Sequence, residues 1–189
     1  MWAHYANNHS GFVLEFDAEA VQSSFEDSTI RAIDYRDEPD ERILGSLQRA
    51  AVTKKPRHAI WLRQGVMSAA YFSKHLCWGY EQEMRLVVSI DDVEDVDGNM
   101  ILPMPINCVT SLIAGKNSPE NFADQSRDLA ENCGIDWYEE IIGKSHPKPF
   151  FKNTHAEVFE FDGSNILRAS NSCARCREPI GEELELCSW

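Results

Sequence analysis

Apolar and polar positions alternate along Gly11-Phe-Val-Leu-Glu-Phe-Asp17, which puts Phe12, Leu14 and Phe16 on one face and predicts a strand. A short helix is expected over residues 18–25, then a second strand over 29–35, closed by the turn-like Arg36-Asp37-Glu38-Pro39. From about residue 40 to 74 the pattern becomes helical. It falls into two pieces at Lys55-Pro56, because proline lacks an N–H and pushes its predecessor out of helical geometry. Ile60, Trp61, Met67, Ala70 and Tyr71 form an apolar stripe on the second piece, which is expected to be core. Residues 80–90 read as the next strand, ending in Leu86-Val87-Val88. In extended geometry Glu81, Glu83 and Arg85 share one face, since side chains alternate with period two.

The acidic run from Asp91 to Asp97 ends in Asp97-Gly98, a hairpin-turn pair. Its spacing does not match an EF-hand loop, so a solvated hairpin tip is expected. Strands follow over 100–104 and 109–114. Ser118-Pro119-Glu120 opens a helix that Gly134 closes. Residues 135–142 read as a strand, and 155–161 with Asp162-Gly163 as a final hairpin. The expected class is α+β: a strand-rich mixed sheet with a few helices, without regular βαβ alternation, plus a small zinc-ribbon-like C-terminal tail. The expected division is a globular domain over 1–150 and a hairpin with its cysteine tail over 151–189.

A chain of 189 residues suffices for one well-buried domain. Its formal net charge of −13 argues against a nucleic-acid backbone as partner. The basic cluster Arg49, Lys54, Lys55, Arg57 and His58 reads as a solvated helix end. An anionic, nucleotide-type small molecule is still accommodated where a few Arg, Lys or backbone N–H groups converge. No apolar run approaches the roughly 20 residues that span a bilayer. The opening residues lack the basic and apolar regions of a secretory signal. The expectation is a bacterial-type cytoplasmic protein with no membrane partner.

Of six cysteines, Cys77, Cys108 and Cys133 are scattered in apolar surroundings and are expected as buried thiols. Cys173-Ala-Arg-Cys176 has the knuckle spacing that lets two thiolates approach one tetrahedral zinc ion, and Cys187 follows. Cys173, Cys176 and Cys187 are therefore candidate structural zinc ligands, with His155 or a partner's residue as the fourth. Such a tail is also a candidate contact for a protein partner.

Chemistry-bearing residues concentrate in two further stretches. Trp2-Ala-His4-Tyr5-Ala-Asn-Asn-His9 precedes the first strand, and Trp78-Gly-Tyr80-Glu81-Gln-Glu83-Met-Arg85 opens a later one. Together they read as a candidate active site. The alternative reading is structural: rings as core residues with a polar handle, and Glu beside Arg as an ion pair.

These stretches resemble the bacterial domain of unknown function 2971 family. Its W-x-H-Y-A-x-x-H-x-G motif is matched from Trp2 to Asp17, and a V-x-Y-x-D-x-x-P-like element by Ile33 to Pro39. Its K-x-x-x-W-x-Y-E-x-E-x-R block is matched by Lys74, Trp78, Tyr80, Glu81, Glu83 and Arg85, and a late strand more loosely by Val109 to Gly115. The order holds over roughly Met1 to Phe150. An upstream strand and F-N-D-P-like loop typical of members does not precede the His-Tyr cluster here. A looser similarity connects such proteins with abortive-infection proteins of phage defence.

Three functions compete. The first resembles ADP-ribosyltransferases or NAD glycohydrolases: Glu83 would stabilise the positive ribose, Glu81 would face an acceptor, and His4 would fix a ribose hydroxyl. Tyr5 or Tyr80 would stack nicotinamide, and His9 and Arg85 would complete the NAD contacts. The second is a metal-dependent hydrolase or nuclease holding its ion with His4, His9, Glu81 and Glu83. The third is a non-catalytic interaction or sensor module in which the motif residues are structural and the cysteine tail recruits a partner.

Overall fold

The computed structural model describes residues 5–38, 40–146 and 148–189. The chain begins with β1 (Phe12–Phe16), α1 (Ala18–Ser24), β2 (Thr29–Ala32) and β3 (Asp34–Tyr35). Two longer helices follow, α2 (Glu41–Thr53) and α3 (Pro56–Phe72). After them come β4 (Ser73–Lys74), a 3₁₀ turn at Leu76–Glu81, β5 (Met84–Val87), β6 (Glu94–Val96) and β7 (Asn99–Ile101). The last part holds β8 (Val109–Ala114), α4 (Glu120–Cys133), β9 (Asp136–Ile142), β10 (Pro149–Lys152), β11 (Val158–Phe161) and β12 (Ile166–Arg168). The result is a mixed α+β fold, as the patterning predicts. No helix among the described residues is long and apolar enough to cross a membrane.

The chain divides into two compact units, one comprising Met1–Val21 and Met104–Trp189, the other Gln22–Pro103. The first is built on a six-stranded sheet in the order β1-β8-β9-β10-β11-β12. Only β8 and β9 run parallel, joined by α4 as a crossover. Helix α4 covers one face of β8 and side chains of the sheet's own strands close over the other, so the last four residues of β8 are buried. Leu112, Ala114 and Trp137 pack with Ala130 of α4 on one face, and Trp137 Nε1 donates to Ser126 Oγ at 2.9 Å. Ile113, Tyr138 and Phe151 pack on the other, with Val13 and Ile166 against them. Gly134 ends α4 in the left-handed region (φ 69°), its N–H bonded to the Ala130 and Glu131 carbonyls.

The second unit is helix-rich. Asp40 caps α2 by accepting from the Arg42 N–H at 3.0 Å, and Pro56 starts α3 where its missing N–H costs nothing. β2 pairs antiparallel with β5, and β3 parallel with β4. β6 and β7 form a separate hairpin turned by Asp97 and Gly98, both at positive φ.

Several expectations need correction. Residues 80–90 are not one strand: Glu81 ends the 3₁₀ turn and Gln82 is left-handed (φ 47°), so regular alternation starts only at β5. The apolar stripe of α3 is not core. Ile60, Trp61, Met67 and Tyr71 are each 43–55% exposed, and α2 buries no residue. Cys77 and Cys133 are exposed, the first in the 3₁₀ turn and the second in the last turn of α4, while Cys108 is buried as expected.

Candidate functional site

The second unit gathers two motif blocks into one network. The parallel pairing of β3 with β4 sets Tyr35 beside Lys74, and the Glu83 N–H donates to Tyr35 Oη at 2.7 Å. Asp37 accepts from the Leu76 N–H at 3.2 Å and meets His75 Nε2 at 3.1 Å, anchoring the start of the 3₁₀ turn. That turn then delivers Glu81 inward, where it is 3% exposed.

The Lys74 ammonium binds Glu81 and also reaches Glu83 Oε2 at 3.2 Å. Arg85 takes the other oxygen of Glu83, its Nε at 2.8 Å and Nη2 at 2.6 Å, while its Nη1 donates to the Tyr71 carbonyl. The Arg85 guanidinium holds the Glu83 carboxyl below its ordinary range; burial works against this and Lys74 adds to it. The Glu81 hydrogen bond raises the Lys74 ammonium above its ordinary value. Lys74 also sits 5.0 Å over the Trp78 ring, whose centroid is 6.1 Å from that of Tyr80. Both rings are partly exposed, Tyr80 at 57%. Glu81 and Glu83 thus come together through Lys74, and Arg85 joins them through Glu83, rather than through one strand face.

Tyr5 and His9 lie in the first unit. His9 Nδ1 meets the two Glu140 oxygens at 3.0 and 2.8 Å, and Glu140 is fully buried. The His9 carbonyl accepts from the Asn117 N–H at 2.8 Å. A Cβ at Gly115 would collide with that carbonyl, so the approach needs glycine there. Tyr5 lines an apolar cavity of about 450 Å³ with Val13, Ile113 and Ile166. Trp2 and His4 lie outside the described residues. Lys74, Tyr35 and Glu140 were not assigned roles from sequence. The signals were a lysine inside the motif and two glutamates in an otherwise apolar strand, which demand partners once buried.

The tail assembles its thiols. The Sγ atoms of Cys173, Cys176 and Cys187 all lie within 4.8 Å of one another, and Cys176 and Cys187 are 3.5 Å apart without a disulfide. Backbone N–H groups of Cys176, Cys187 and Arg175 point at the Cys173 sulfur and bring its thiol down to about 6, toward the thiolate a metal requires. For Cys176 the Glu178 N–H lowers the thiol, but burial and the other two sulfurs outweigh it and the net shift is upward. Three soft donors at this spacing fit zinc. His155 is not part of the cluster.

Glu178 fastens this ribbon to the loop after β9. Its buried carboxylate accepts from the N–H groups of Lys144, Ser145 and His146 at 3.0–3.2 Å and from Ser145 Oγ at 2.8 Å. Burial acts to raise this carboxyl, and the four donors hold it below its usual range.

No curated protein and no solved structure matches the chain. The family resemblance is supported over a shorter stretch than Met1 to Phe150: residues 1–86 match the family model described as Protein of unknown function (DUF2971).

Proposed function

We propose that the chain is an interaction module whose C-terminal ribbon holds a structural zinc ion and presents a surface to a protein partner. The observation that carries this reading is the thiol cluster: three sulfurs within 4.8 Å of one another, one of them drawn toward the thiolate by backbone N–H groups. Cys173, Cys176 and Cys187 would hold the ion, which supplies folding energy to a short tail with little apolar core. The engagement of the motif residues supports the same reading, because Glu81 and Glu83 already face Lys74 and Arg85.

The test is metal content of the purified chain by inductively coupled plasma mass spectrometry, beside Cys173→Ser. One zinc per chain, lost in the variant along with partner capture but retained in Glu83→Gln, is the expected result. A metal-free wild-type chain overturns the reading.

A second reading has one observation in its favour: the Lys74 ammonium that bonds Glu83 also lies 5.0 Å over the exposed Trp78 ring, with Tyr80 6.1 Å from that ring, so aromatic rings and a carboxylate gather around one cation in a way suited to nicotinamide and a developing ribose cation. It makes the chain an NAD-using transferase or glycohydrolase, in phage defence if the looser similarity holds. Nicotinamide release from NAD that disappears in Glu83→Gln would establish it in place of the first.

A further inference from the structure

The helical hairpin of the second unit is physically incomplete. Helix α2 buries none of its 13 residues, and Leu44, Leu47 and Val52 are 49–83% exposed. Isolated helices of this length are marginal in water, and an amphipathic one draws its stability from covering its apolar face. In the same unit an apolar groove of about 420 Å³ runs between α3 and the β2–β5 pair. Ile60, Met67, Tyr71 and Val87 line it, with Arg31 and Arg63 at its rim. Helical spacing puts Arg57 on the same stripe, one turn before Ile60.

Charge sets this hairpin apart. Residues 41–72 carry one acidic side chain, Glu41, against Arg42, Arg49, Lys54, Lys55, Arg57 and Arg63, in a chain whose net charge is −13. The same unit contains the complementary piece. Residues 90–101 hold Asp91, Asp92, Glu94, Asp95 and Asp97 and no basic residue. All six strand residues of β6 and β7 are exposed. A two-stranded hairpin on its own is marginally stable. Glu94, Val96, Asn99 and Ile101 share one of its faces, since Glu94 sits opposite Ile101 and Val96 opposite Asn99 in the register. That face sets two apolar residues beside an acidic one, where the groove sets apolar residues beside Arg31 and Arg63. The hairpin is the shorter piece: three strand residues span about 10 Å, within the about 16 Å of helix from Ile60 to Tyr71.

We propose that the α3 groove of one copy receives the β6–β7 hairpin of a second copy, giving a two-fold dimer in which each chain supplies both halves. The occupant is the chain itself because the same unit offers a basic-edged apolar groove and an exposed acidic hairpin of complementary charge. Like a domain core cut in two, each piece covers what the other leaves wet. The proposal does not depend on the thiol cluster.

Sedimentation velocity on the full chain, with two charge-reversed variants, tests it. Arg57→Glu/Arg63→Glu makes groove and hairpin both acidic, and Asp91→Lys/Asp92→Lys/Glu94→Lys leaves the hairpin with three lysines against Asp95 and Asp97, so that both are basic. These substitutions are at surface positions, and circular dichroism checks that each variant is folded. The wild type is expected to dimerise in a concentration- and salt-dependent way. Each variant alone should raise the dimer dissociation constant by at least about tenfold. An equimolar mixture should restore dimers, because both contacts in the mixed pair are again complementary. A wild type that stays monomeric at hundreds of micromolar overturns the proposal. So does a dimer indifferent to both reversals, or a mixture that fails to reassociate.

Discussion

His9 is joined to Glu140 across 131 residues of sequence, its Nδ1 within 3.0 Å of both oxygens of a carboxylate that has no exposure to solvent. The contact ties the loop before β1 to β9, two strands away in the sheet. It also explains why a histidine of the opening motif sits in a left-handed conformation (φ 64°) after two other left-handed residues, Asn7 and Asn8. The loop is bent to bring the ring to the carboxylate, and local strain of this kind persists where surrounding contacts fix it.

Removing His9 takes the side-chain partner from a buried carboxylate. His9→Ala should therefore destabilise the first unit by about 1–3 kcal/mol, whereas the double change His9→Leu/Glu140→Leu should cost less. Urea denaturation of the three chains checks this. Equal losses in the single and double variants would show that the pair is not coupled.

This pairing also marks the limit of what local pattern reveals. The strand at Phe12–Phe16, the break between α2 and α3 at Pro56, β8 and the Gly134 stop were legible because each depends on residues within a turn or two. The partners of His9 and Glu178 were not, since nothing local links position 9 to 140 or 178 to 145. β10 has only Pro-Phe-Phe-Lys and no turn signal of its own, so it becomes a strand through its neighbours β9 and β11. The 3₁₀ turn hid behind the strong strand signal of Leu86 and Val87. The α3 stripe looked like core because periodicity reports which side is apolar, not whether anything covers it. Of the candidate site, the meeting of Glu81, Glu83 and Arg85 was readable, but the lysine that organises them was not.

Lys74 is bonded to Glu81, and Glu81 is buried. Lys74→Met should lower the urea midpoint more than the double variant Lys74→Met/Glu81→Leu, because the single change takes a cationic partner from a buried charge that the double change removes. Glu83, partly exposed and still paired with Arg85, should tolerate Glu83→Gln with a smaller loss. If the double variant proves the least stable of the three, Lys74 acts through something other than these carboxylates.

Acid should act on the same network. The native Glu83 carboxyl titrates below its usual 4.5, held there first by Arg85, so the unfolded chain binds the proton more readily. Its contribution to stability is complete above about pH 4.5 and is lost as pH falls through the lower native value. The stability gap between wild type and Glu83→Gln should therefore be widest near neutrality and narrow below pH 4.5. Denaturation curves between pH 7 and pH 3 read this directly, and a gap constant with pH would show that the carboxylate does not contribute through its charge.

Two glycines make opposite predictions. Gly45 lies inside α2, where an added Cβ meets nothing within 4 Å. Alanine there should stabilise the helix by about 0.5–1 kcal/mol, by restricting the unfolded chain and improving helix propensity. Gly143 is the reverse, since a Cβ would strike the Glu178 carboxylate that collects the Lys144, Ser145 and His146 donors. Gly143→Ala must push that carboxylate out of its nest or shift the loop, and either change strips hydrogen bonds from a buried charge. Lys144 Nζ lies 5.7 Å over the Trp189 ring, so tail release should alter tryptophan emission and speed proteolysis near the C-terminus. Gly45→Ala should leave both readouts unchanged. A Gly143→Ala chain with native emission and native protease resistance would mean that Glu178 does not hold the ribbon to the loop.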